Sequence, residues 1–560
     1  MARRGGTLVV VALVLAACSS DAGVTAGTAI DASGTGSSAV TVPADPTVTD
    51  GSNPTSSSGP ATPSTSGDGT PTVPSTVPPT SGTTTTATTP TPTTGTGTTP
   101  SSNPQNPGTP DTMPVPPAGS DPDGFGDVLF PELGNPGVDV QDYDVKLTYD
   151  PTTGTIAGSV TLKMSITADR DEITLDSAGP QIDGVTIDGA AVEFAPEERE
   201  LRITPAEPLS AGDEIDVAVT YHETPGVEQF VAGLPVGWFN TDGGSYVLNE
   251  PDGARSWLPS NDHPADKATW TFELTVPSGV TAVANGAHVS TTPGSAGDTW
   301  VWRQDEPMAT YLVQVLTGDY ELIEDTGPAG LPLLSVVLRD DATLMQPFVD
   351  AAAEQIDFFD DWFGPFPLDR YGVAMTDSFP GLAMETQGRS LFSRDDFQTG
   401  SLGYVESLLL SHELAHQWFG DAVTLERWKD IWLNESFATY AQWMWLDHVG
   451  LSSLDEEAAN ALATKGSDDS HSTADPPADD LFGFNSYEGG AVVLQALRRT
   501  IGDDAFFTVL QRWVAENAGH SRGTEEFVAL ANEVAGADLT GFFQTWLFAA
   551  DVPDSYPDPA

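Results

Sequence analysis

The feature that most constrains this chain is a pair of histidines four residues apart. His412 and His416 occur in Leu409-Leu-Ser-His-Glu-Leu-Ala-His-Gln-Trp418, a segment without Pro or Gly that reads as a helix. Side chains at i and i+4 share one helical face, so both imidazoles can reach a single metal ion. Glu413 lies beside the pair, close enough to act on a water at the metal but offset from the two ligands.

A catalytic zinc ion has four positions and keeps one of them for water, so two histidines leave the site one protein ligand short. Glu435 follows His416 by nineteen residues, in the second helical segment Trp432-Leu-Asn-Glu-Ser-Phe-Ala-Thr-Tyr440. A helix–loop–helix of this length can bring Glu435 back to the first helix. The other six of the chain's eight histidines have no ligand-like spacing. We therefore expect one zinc ion per chain, held by His412, His416 and Glu435.

The N-terminus has the features of a bacterial lipoprotein signal. Met1-Ala-Arg-Arg4 is basic and precedes an apolar run, Leu8 to Ala17, that is too short to span a bilayer. Cys18 follows this run as in a lipobox, and it is the only cysteine, which excludes an intrachain disulfide and a zinc thiolate. We expect a signal peptide over residues 1–17 and a secreted protein anchored to the outside of a bacterial cell membrane by a lipid on Cys18. The alternative is an ordinary secretory signal with a spare cysteine.

Composition separates a non-globular part from a folded part. Residues 18–124 are mostly Ser, Thr, Pro and Gly with almost no large apolar side chain, so they cannot bury enough surface to fold. We expect a disordered tether, with Ser and Thr available for O-glycosylation. The net charge is −60, from 81 acidic and 21 basic residues, and nearly all of the excess lies beyond the tether. Such a surface repels nucleic acid, so we expect no nucleic-acid partner.

Residue patterns predict an α+β chain with two folded domains. Between residues 125 and 340 apolar and polar residues alternate, as in Val160-Thr-Leu-Lys-Met-Ser-Ile166, and turn residues separate such runs. This pattern predicts an N-terminal antiparallel β-sandwich. From 341 to 556 the period becomes helical, and one apolar stripe runs from Phe348 to Phe363. We therefore predict a mainly helical catalytic domain after the sandwich, and its two zinc-motif helices beside a short sheet resemble the thermolysin-like zincins.

Together these motifs resemble the gluzincin aminopeptidases, the family of aminopeptidase N and leukotriene hydrolase, over about residues 138–550. His412-Glu-Leu-Ala-His416 with Asn434-Glu435 matches the zinc motif of that family. The resemblance implies a zinc-dependent aminopeptidase that removes N-terminal residues from peptides, with Glu413 as its general base. We expect a short lipoprotein form, because the sequence ends soon after Trp546 without the long helical C-terminal domain of larger relatives.

The resemblance also implies two carboxylates that bind the α-amine of the substrate. Leu382-Ala-Met-Glu-Thr386 matches the family's Gly-Ala-Met-Glu-Asn strand, whose amine-binding glutamate corresponds to Glu385. Asn249-Glu-Pro251 matches a stretch of the family's sandwich domain, where an acidic residue before Pro corresponds to Glu250. A carboxylate at a fixed distance from the zinc selects peptides with a free N-terminus, because an internal peptide leaves it unpaired.

A tyrosine completes the implied catalytic set. Tyr487, in Asn485-Ser-Tyr-Glu-Gly489, matches the family tyrosine that donates to the developing oxyanion. Two further side chains, Thr439 and Gln442, share the helical face of Glu435 and can support the ligands. The sequence departs from the family pattern at four neighbouring positions, namely Leu248 for Gln, Leu382 for Gly, Thr386 for Asn and Gly489 for Lys.

Two other functions fit the same residues. A zinc endopeptidase can use the same pair of helices, and it would cleave peptides whether or not their N-terminus is acetylated. A catalytically idle, surface-binding lipoprotein can keep the fold without activity. Idle relatives of enzymes usually lose a ligand or the base, whereas all four residues of the zinc motif are present in this chain.

Overall fold

A computed structural model of the protein describes residues 124–229, 235–241, 243–377, 383–467 and 470–560. These residues belong to one compact unit. The predicted signal peptide, Cys18, the tether up to residue 123 and Leu382 lie outside the described residues. None of the helices in the described ranges combines the length and apolar character that a membrane crossing requires.

The N-terminal half of the described chain is built almost entirely of strands. In chain order they are β1 Val138–Asp150, β2 Thr155–Ile166, β3 Ile173–Asp176, β4 Gln181–Ile187, β5 Ala190–Ala191, β6 Glu193–Pro196, β7 Glu200–Thr204, β8 Glu214–Glu223, β9 Val227–Gln229, β10 Pro235–Thr241, β11 Gly244–Leu248, β12 Ala268–Val276, β13 Thr281–Ala284, β14 Ala287–Pro293, β15 Asp298–Met308 and β16 Val315–Gly318.

These strands form three sheets around one hydrophobic core. The largest has eight strands in the order β14-β15-β12-β1-β2-β8-β4-β5, the second has the order β13-β16-β11-β10-β9, and the third has β3-β7-β6. Residues from all three sheets pack in the same core. The prediction of an antiparallel β-rich domain is confirmed, with the exception that β1 and β12 run parallel.

Period-two alternation explains how the largest sheet buries one face. Val145 of β1 lies opposite Val160 of β2, and Tyr143 lies opposite Leu162. All four side chains are buried, while the polar neighbours of Val145 and Val160 are more exposed. Because successive side chains of a strand point to opposite faces, the alternating sequence places the apolar set in the core.

The C-terminal half combines a mixed five-stranded sheet and a two-stranded sheet, β22 with β23, with eight α-helices in the described ranges. Its elements are β17 Tyr320–Thr326, β18 Pro332–Leu338, α1 Ala342–Phe363, β19 Val373–Thr376, β20 Ala383–Met384, β21 Ser390–Ser393, α2 Tyr404–Ala415, β22 Val423–Leu425, α3 Trp432–His448, α4 Leu454–Lys465, α5 Glu488–Ile501, α6 Asp503–Asn517, β23 His520–Arg522, α7 Thr524–Ala535 and α8 Thr540–Trp546. The five-stranded sheet has the order β17-β18-β19-β21-β20, so β20 is an edge strand.

The start of this half differs from the boundary expected between residues 340 and 341. Strands β17 and β18 precede that boundary, yet they belong to the same sheet as β19, β20 and β21. By strand pairing the catalytic domain therefore begins near Tyr320. The period-two pattern could not reveal this, because strands of both domains alternate in the same way. The predicted order of a β-rich domain followed by a helical catalytic domain is confirmed.

Arg389 is a buried cation that joins the β-rich domain to the mixed sheet. Its Nη1 donates to the Ala284 carbonyl and to Gln314 Oε1, each at 3.0 Å, and its Nε donates to the Leu334 carbonyl at 2.9 Å. Burial lowers the pKa of Arg389 to about 9. Arginine suits this position because one planar group provides five donors for acceptors in different directions.

We predict that Arg389→Met lowers the free energy of unfolding by at least about 3 kcal/mol, because each buried acceptor left unpaired costs about 1–3 kcal/mol. Urea unfolding followed by circular dichroism measures this change. Arg303→Met is the matched control, since Arg303 pairs with Asp305 on the surface and both side chains are more than half exposed. The account of Arg389 is wrong if both substitutions leave the midpoint unchanged.

Candidate active site

Three predicted ligands converge between α2 and α3. His412 lies in the last turn of α2, His416 directly follows the helix, and Glu435 lies in the first turn of α3. Glu435 Oε2 is 3.2 Å from His412 Nε2 and 3.3 Å from His416 Nε2. All three side chains are buried and their donor atoms are close enough to bind one ion. The other two groups of such atoms each share a residue with this one, so all belong to one cluster of side chains.

The second nitrogen of each imidazole has its own partner. His416 Nδ1 is 3.1 Å from the Phe419 carbonyl, and His412 Nδ1 is 2.9 Å from Gln442 Oε1. Because both oxygens are acceptors, each Nδ1 carries a proton, and each Nε2 is left on the side of Glu435 as the nitrogen that can bind a metal ion. Gln442 therefore has the predicted supporting position, whereas the Thr439 hydroxyl has no hydrogen-bond partner among the described residues.

The charges around these ligands favour a cation. Burial alone lowers the pKa of His416, but the carboxylates of Glu385 and Glu435 outweigh burial and raise it well above its usual range. Burial raises the pKa of Glu435, and the two histidines reverse this effect and hold that pKa at about 2. A metal ion that displaces the extra proton of His416 would be bound by two imidazole nitrogens and one ionised carboxylate, a donor set that fits a catalytic zinc ion with one open position.

Glu413 has the offset position expected of a base. It neighbours His412 on α2 and is buried, and a carboxylate oxygen of Glu413 lies within 4.8 Å of the nearest donor atoms of His416 and Glu385. Burial raises the pKa of Glu413 well above its usual range, and the charges of Glu385 and Glu435 add to this effect while His416 opposes it. A carboxylate in this environment has a higher proton affinity than one in water.

Tyr487 reaches the same pocket from the N-terminus of α5. Its ring stacks on the His412 imidazole, with 5.9 Å between centroids and an interplanar angle of 15°. Helix α3 holds Tyr487 in this position in two ways. Ser436 Oγ of α3 donates to the carbonyl of Ser486, the residue before Tyr487, at 2.6 Å. In addition, α5 packs very close to α3. A Cβ at Gly490 would lie 1.7 Å from Ser436 Oγ, so this approach requires glycine.

The two carboxylates implied to bind an amine also lie here. Glu385 follows the edge strand β20, and Glu250 precedes Pro251 in the loop after β11. Carboxylate oxygens of Glu250, Glu385 and Glu435 lie within 4.8 Å of one another. In the described residues, Glu250 Oε1 and Glu385 Oε1 are buried without a hydrogen-bond partner. Burial raises the pKa of both carboxyl groups, and the charge of His416 opposes this rise. Since no described side chain forms an ion pair with either carboxylate, a cationic ligand could pair with both.

Two of the departures from the family pattern, Thr386 and Leu248, contact the β-rich domain. Thr386 Oγ1 donates to the Arg389 carbonyl at 2.5 Å and accepts from Gln314 Nε2 at 2.8 Å, so it anchors the turn after Glu385 to the β-rich domain. Leu248 is half-buried and packs against the core of that domain.

Gly489 leaves space for a lysine from another helix. A Cβ at Gly489 would lie 3.1 Å from Nζ of Lys465, which is the last residue of α4. Lys465 is buried, and its Nζ donates to Thr473 Oγ1 at 3.0 Å and to Asn485 Oδ1, which precedes Tyr487 by two residues. Sequence reasoning missed Lys465, because it lies at the end of a polar segment without any motif.

Tyr311 is a second residue that the sequence did not reveal. It comes from the β-rich domain and is buried beside the ligands. Its hydroxyl accepts a hydrogen bond from Asn434 Nδ2 at 3.1 Å and donates to the Gly420 carbonyl at 3.3 Å. Asn434 precedes Glu435 and Gly420 follows α2, so Tyr311 ties both ligand-bearing helices to the β-rich domain.

Comparison with known families agrees with this site. Residues 140–312 match the Peptidase M1 N-terminal domain, and residues 348–546 match the Peptidase family M1 domain. The M1 zinc metallopeptidase from Deinococcus radiodurans, in a mutant form bound to a Tyr-Ser-Ala substrate, is 31% identical with a TM-score of 0.71. The match covers 78% of this chain and 100% of that chain. The fold and site therefore define a zinc metallopeptidase, and this chain belongs to peptidase family M1.

Curated relatives of the chain are aminopeptidases. Aminopeptidase N from Streptomyces lividans is 28% identical over 465 residues, which are 74% of this chain and 50% of that protein. Aminopeptidase M1 from Arabidopsis thaliana is 26% identical over 442 residues, which are 72% of this chain and 49% of that protein. The chain thus spans about half the length of these curated relatives.

We predict that Gln442→Leu weakens zinc binding about 10- to 100-fold, because a metal-ligating histidine loses orientation without its second partner. Competition with a chromophoric chelator measures the zinc affinity directly. Thr439→Val is the control, since Thr439 lies on the same helix and its hydroxyl has no partner in the described residues. Equal affinities in both variants would contradict the assigned role of Gln442.

Proposed function

We propose that the protein is a zinc-dependent aminopeptidase that removes N-terminal residues from peptides with a free α-amine. The observation that carries this proposal is the position of two unpaired carboxylates, Glu385 and Glu250, beside the three zinc ligands. A peptide ammonium is the substrate group that would pair with both. An internal peptide segment has no such group and would leave two buried carboxylates unpaired, which is costly.

A zinc ion bound by His412, His416 and Glu435 would act as a Lewis acid, which would polarise the substrate carbonyl and lower the pKa of a water molecule. Glu413 takes the proton from the attacking water and passes it to the leaving amine. The Tyr487 hydroxyl donates to the carbonyl oxygen as negative charge develops on it. Removal of a single such donor has cost about 3–4 kcal/mol in other enzymes. Glu385 and Glu250 hold the ammonium, and this fixes which peptide bond is cleaved.

The M1 zinc metallopeptidase from Deinococcus radiodurans supports the same substrate class, because its mutant binds a Tyr-Ser-Ala substrate. An endopeptidase on this scaffold is less consistent with the site, since it has no use for the buried pair Glu385 and Glu250. A catalytically idle protein is also less consistent, because His412, Glu413, His416 and Glu435 are all present and their side chains face one pocket.

We predict that the zinc-loaded protein releases naphthylamine from aminoacyl-naphthylamides and not from their N-acetylated forms. Glu413→Gln should lower kcat at least about 100-fold without loss of zinc, because it removes the base alone. Glu385→Gln should raise KM for free-amine substrates, because it removes a charged partner of the ammonium. Fluorogenic assays with metal analysis of each variant provide these values.

Two outcomes contradict this function. Equal cleavage of peptides with free and acetylated N-termini would identify an endopeptidase. A wild-type protein that binds zinc and behaves like Glu413→Gln on every substrate would identify an idle scaffold.

We also propose that the protein is a lipoprotein anchored to the outside of a bacterial cell membrane. The support is the position of Cys18 at the end of the apolar run Leu8 to Ala17, after the basic Arg3 and Arg4. The Ser/Thr/Pro/Gly-rich residues 18–124 would then give the catalytic part reach from the membrane surface.

We predict that the wild-type protein incorporates labelled palmitate in a bacterial host and fractionates with membranes. Cys18→Ser should abolish labelling and leave the protein outside the membrane fraction, because the chain has no second cysteine to accept the lipid. A Cys18→Ser protein that remains in the membrane fraction would contradict anchoring through this residue.

A further inference from the structure

Gln417 connects the zinc helix to the amine-binding carboxylate through two hydrogen bonds. It directly follows His416 and is completely buried. Its Nε2 donates to the Glu385 carbonyl at 3.2 Å, and its Oε1 accepts from the Gly388 amide at 2.8 Å. One side-chain amide thus contacts the backbone on both sides of the turn that begins at Glu385, and its planar donor and acceptor match a carbonyl and an N–H of that turn.

We propose that Gln417 is a positioning residue that sets the distance between the Glu385 carboxylate and the zinc ligands, and thereby the register in which a substrate is cleaved. This inference rests on the proposed aminopeptidase function. The backbone position of Gln417 is fixed relative to the zinc ligands, because Gln417 directly follows His416. Its side chain in turn binds the Glu385 backbone directly.

The local strand pairing is too short to fix Glu385 by itself. Strand β20 has two residues, and within the described ranges they pair with one neighbouring strand, as Ala383 with Phe392 and Met384 with Leu391. Each such pair contributes little, and an edge strand has no second neighbour to add to it. The bonds from Gln417 are therefore a large part of what holds this turn against α2.

Other hydrogen bonds around the turn lead elsewhere. Gln314 Nε2 donates to Thr386 Oγ1 at 2.8 Å and to the Arg389 carbonyl at 2.9 Å, which ties the turn to the β-rich domain. Ser390 Oγ donates to the Glu413 carbonyl at 3.1 Å and joins α2 to β21 without contacting Glu385. Ser390 therefore provides a buried helix-to-sheet bond for comparison that lacks the link to the amine anchor.

The register can be measured with substrates that differ by one methylene group. In an alanyl substrate one carbon separates the amine from the carbonyl, and in a β-alanyl substrate two carbons do. A fixed spacing between Glu385 and the zinc ligands favours the first strongly, because a misplacement of about 1 Å can cost about 100-fold in rate. A turn that is released from α2 should discriminate less between the two.

The experiment compares alanyl- and β-alanyl-p-nitroanilide on the full-length, zinc-loaded protein and three variants. Gln417→Met keeps the side-chain length and removes both hydrogen bonds to the turn, together with a longer one of 3.5 Å to the Glu413 carbonyl. Gln417→Glu keeps the acceptor for the Gly388 amide, and Ser390→Ala removes the comparison bond and a contact with the Tyr371 hydroxyl. Zinc affinity from chelator competition and melting temperature are measured for each variant, independently of turnover.

For Gln417→Met we expect unchanged zinc affinity and a kcat for the alanyl substrate at least about 10-fold lower with little change in KM. In the same variant, the kcat/KM for the alanyl substrate divided by that for the β-alanyl substrate should also fall. This ratio should be intermediate in Gln417→Glu, between the values for Gln417→Met and the wild type. Ser390→Ala should lower the melting temperature and leave the ratio unchanged.

An unchanged ratio in a folded, zinc-binding Gln417→Met protein overturns the proposal, and so does an equal fall of the ratio in Ser390→Ala. If Gln417→Met does not fold, the ratio in Gln417→Glu decides. These outcomes can be distinguished from failure of the proposed aminopeptidase function. In that case the wild-type protein itself hydrolyses no aminoacyl substrate, and both proposals are overturned.

Discussion

The structure depends on the contact of one buried carboxylate with two imidazoles. Glu435 Oε2 lies within 3.3 Å of both His412 Nε2 and His416 Nε2, and α2, α3 and α5 pack in the arrangement that makes this possible. Burying so many ionisable groups together costs free energy unless a cation and hydrogen bonds compensate for it. The outward nitrogens of the histidines are satisfied by Phe419 and Gln442, so the inward nitrogens remain for a metal ion. A peptidase site is thereby defined by packing before any substrate binds.

The β-rich domain contributes to this site and is not only a scaffold beside it. Glu250 comes from its loop after β11, Tyr311 binds the segments that precede Glu435 and follow α2, and Lys267 donates to the Asp421 carbonyl at 2.7 Å. Arg389 fastens the same domain to the sheet that ends in β20. Contacts between the two domains therefore set the distance from the amine-binding carboxylates, Glu385 and Glu250, to the zinc ligands. The polar residues in the interface between these domains are accordingly buried.

Local sequence spacing predicted the chemistry well and the long-range pairing poorly. The i,i+4 spacing of His412 and His416 fixed their common face, and alternation in β1 and β2 identified the buried side of the sheet. The parallel pairing of β1 with β12 could not be read from either strand, because alternation determines which face is buried and not which strand is adjacent. Lys465 and Gln417 were missed for a related reason, since a hydrogen bond between segments that are distant in sequence, such as that of Gln417 with the Glu385 backbone, leaves no pattern in either segment. Cys18 lies outside the described residues, so its lipidation remains a prediction.

Anomalous diffraction at the zinc edge, from crystals grown with a free amino acid, would locate the metal ion and the ammonium group together. We expect one anomalous peak between His412 Nε2, His416 Nε2 and Glu435, with the ammonium of the amino acid contacting Glu385 and Glu250. A peak at any other group of residues, or an ammonium bound away from both carboxylates, would contradict it.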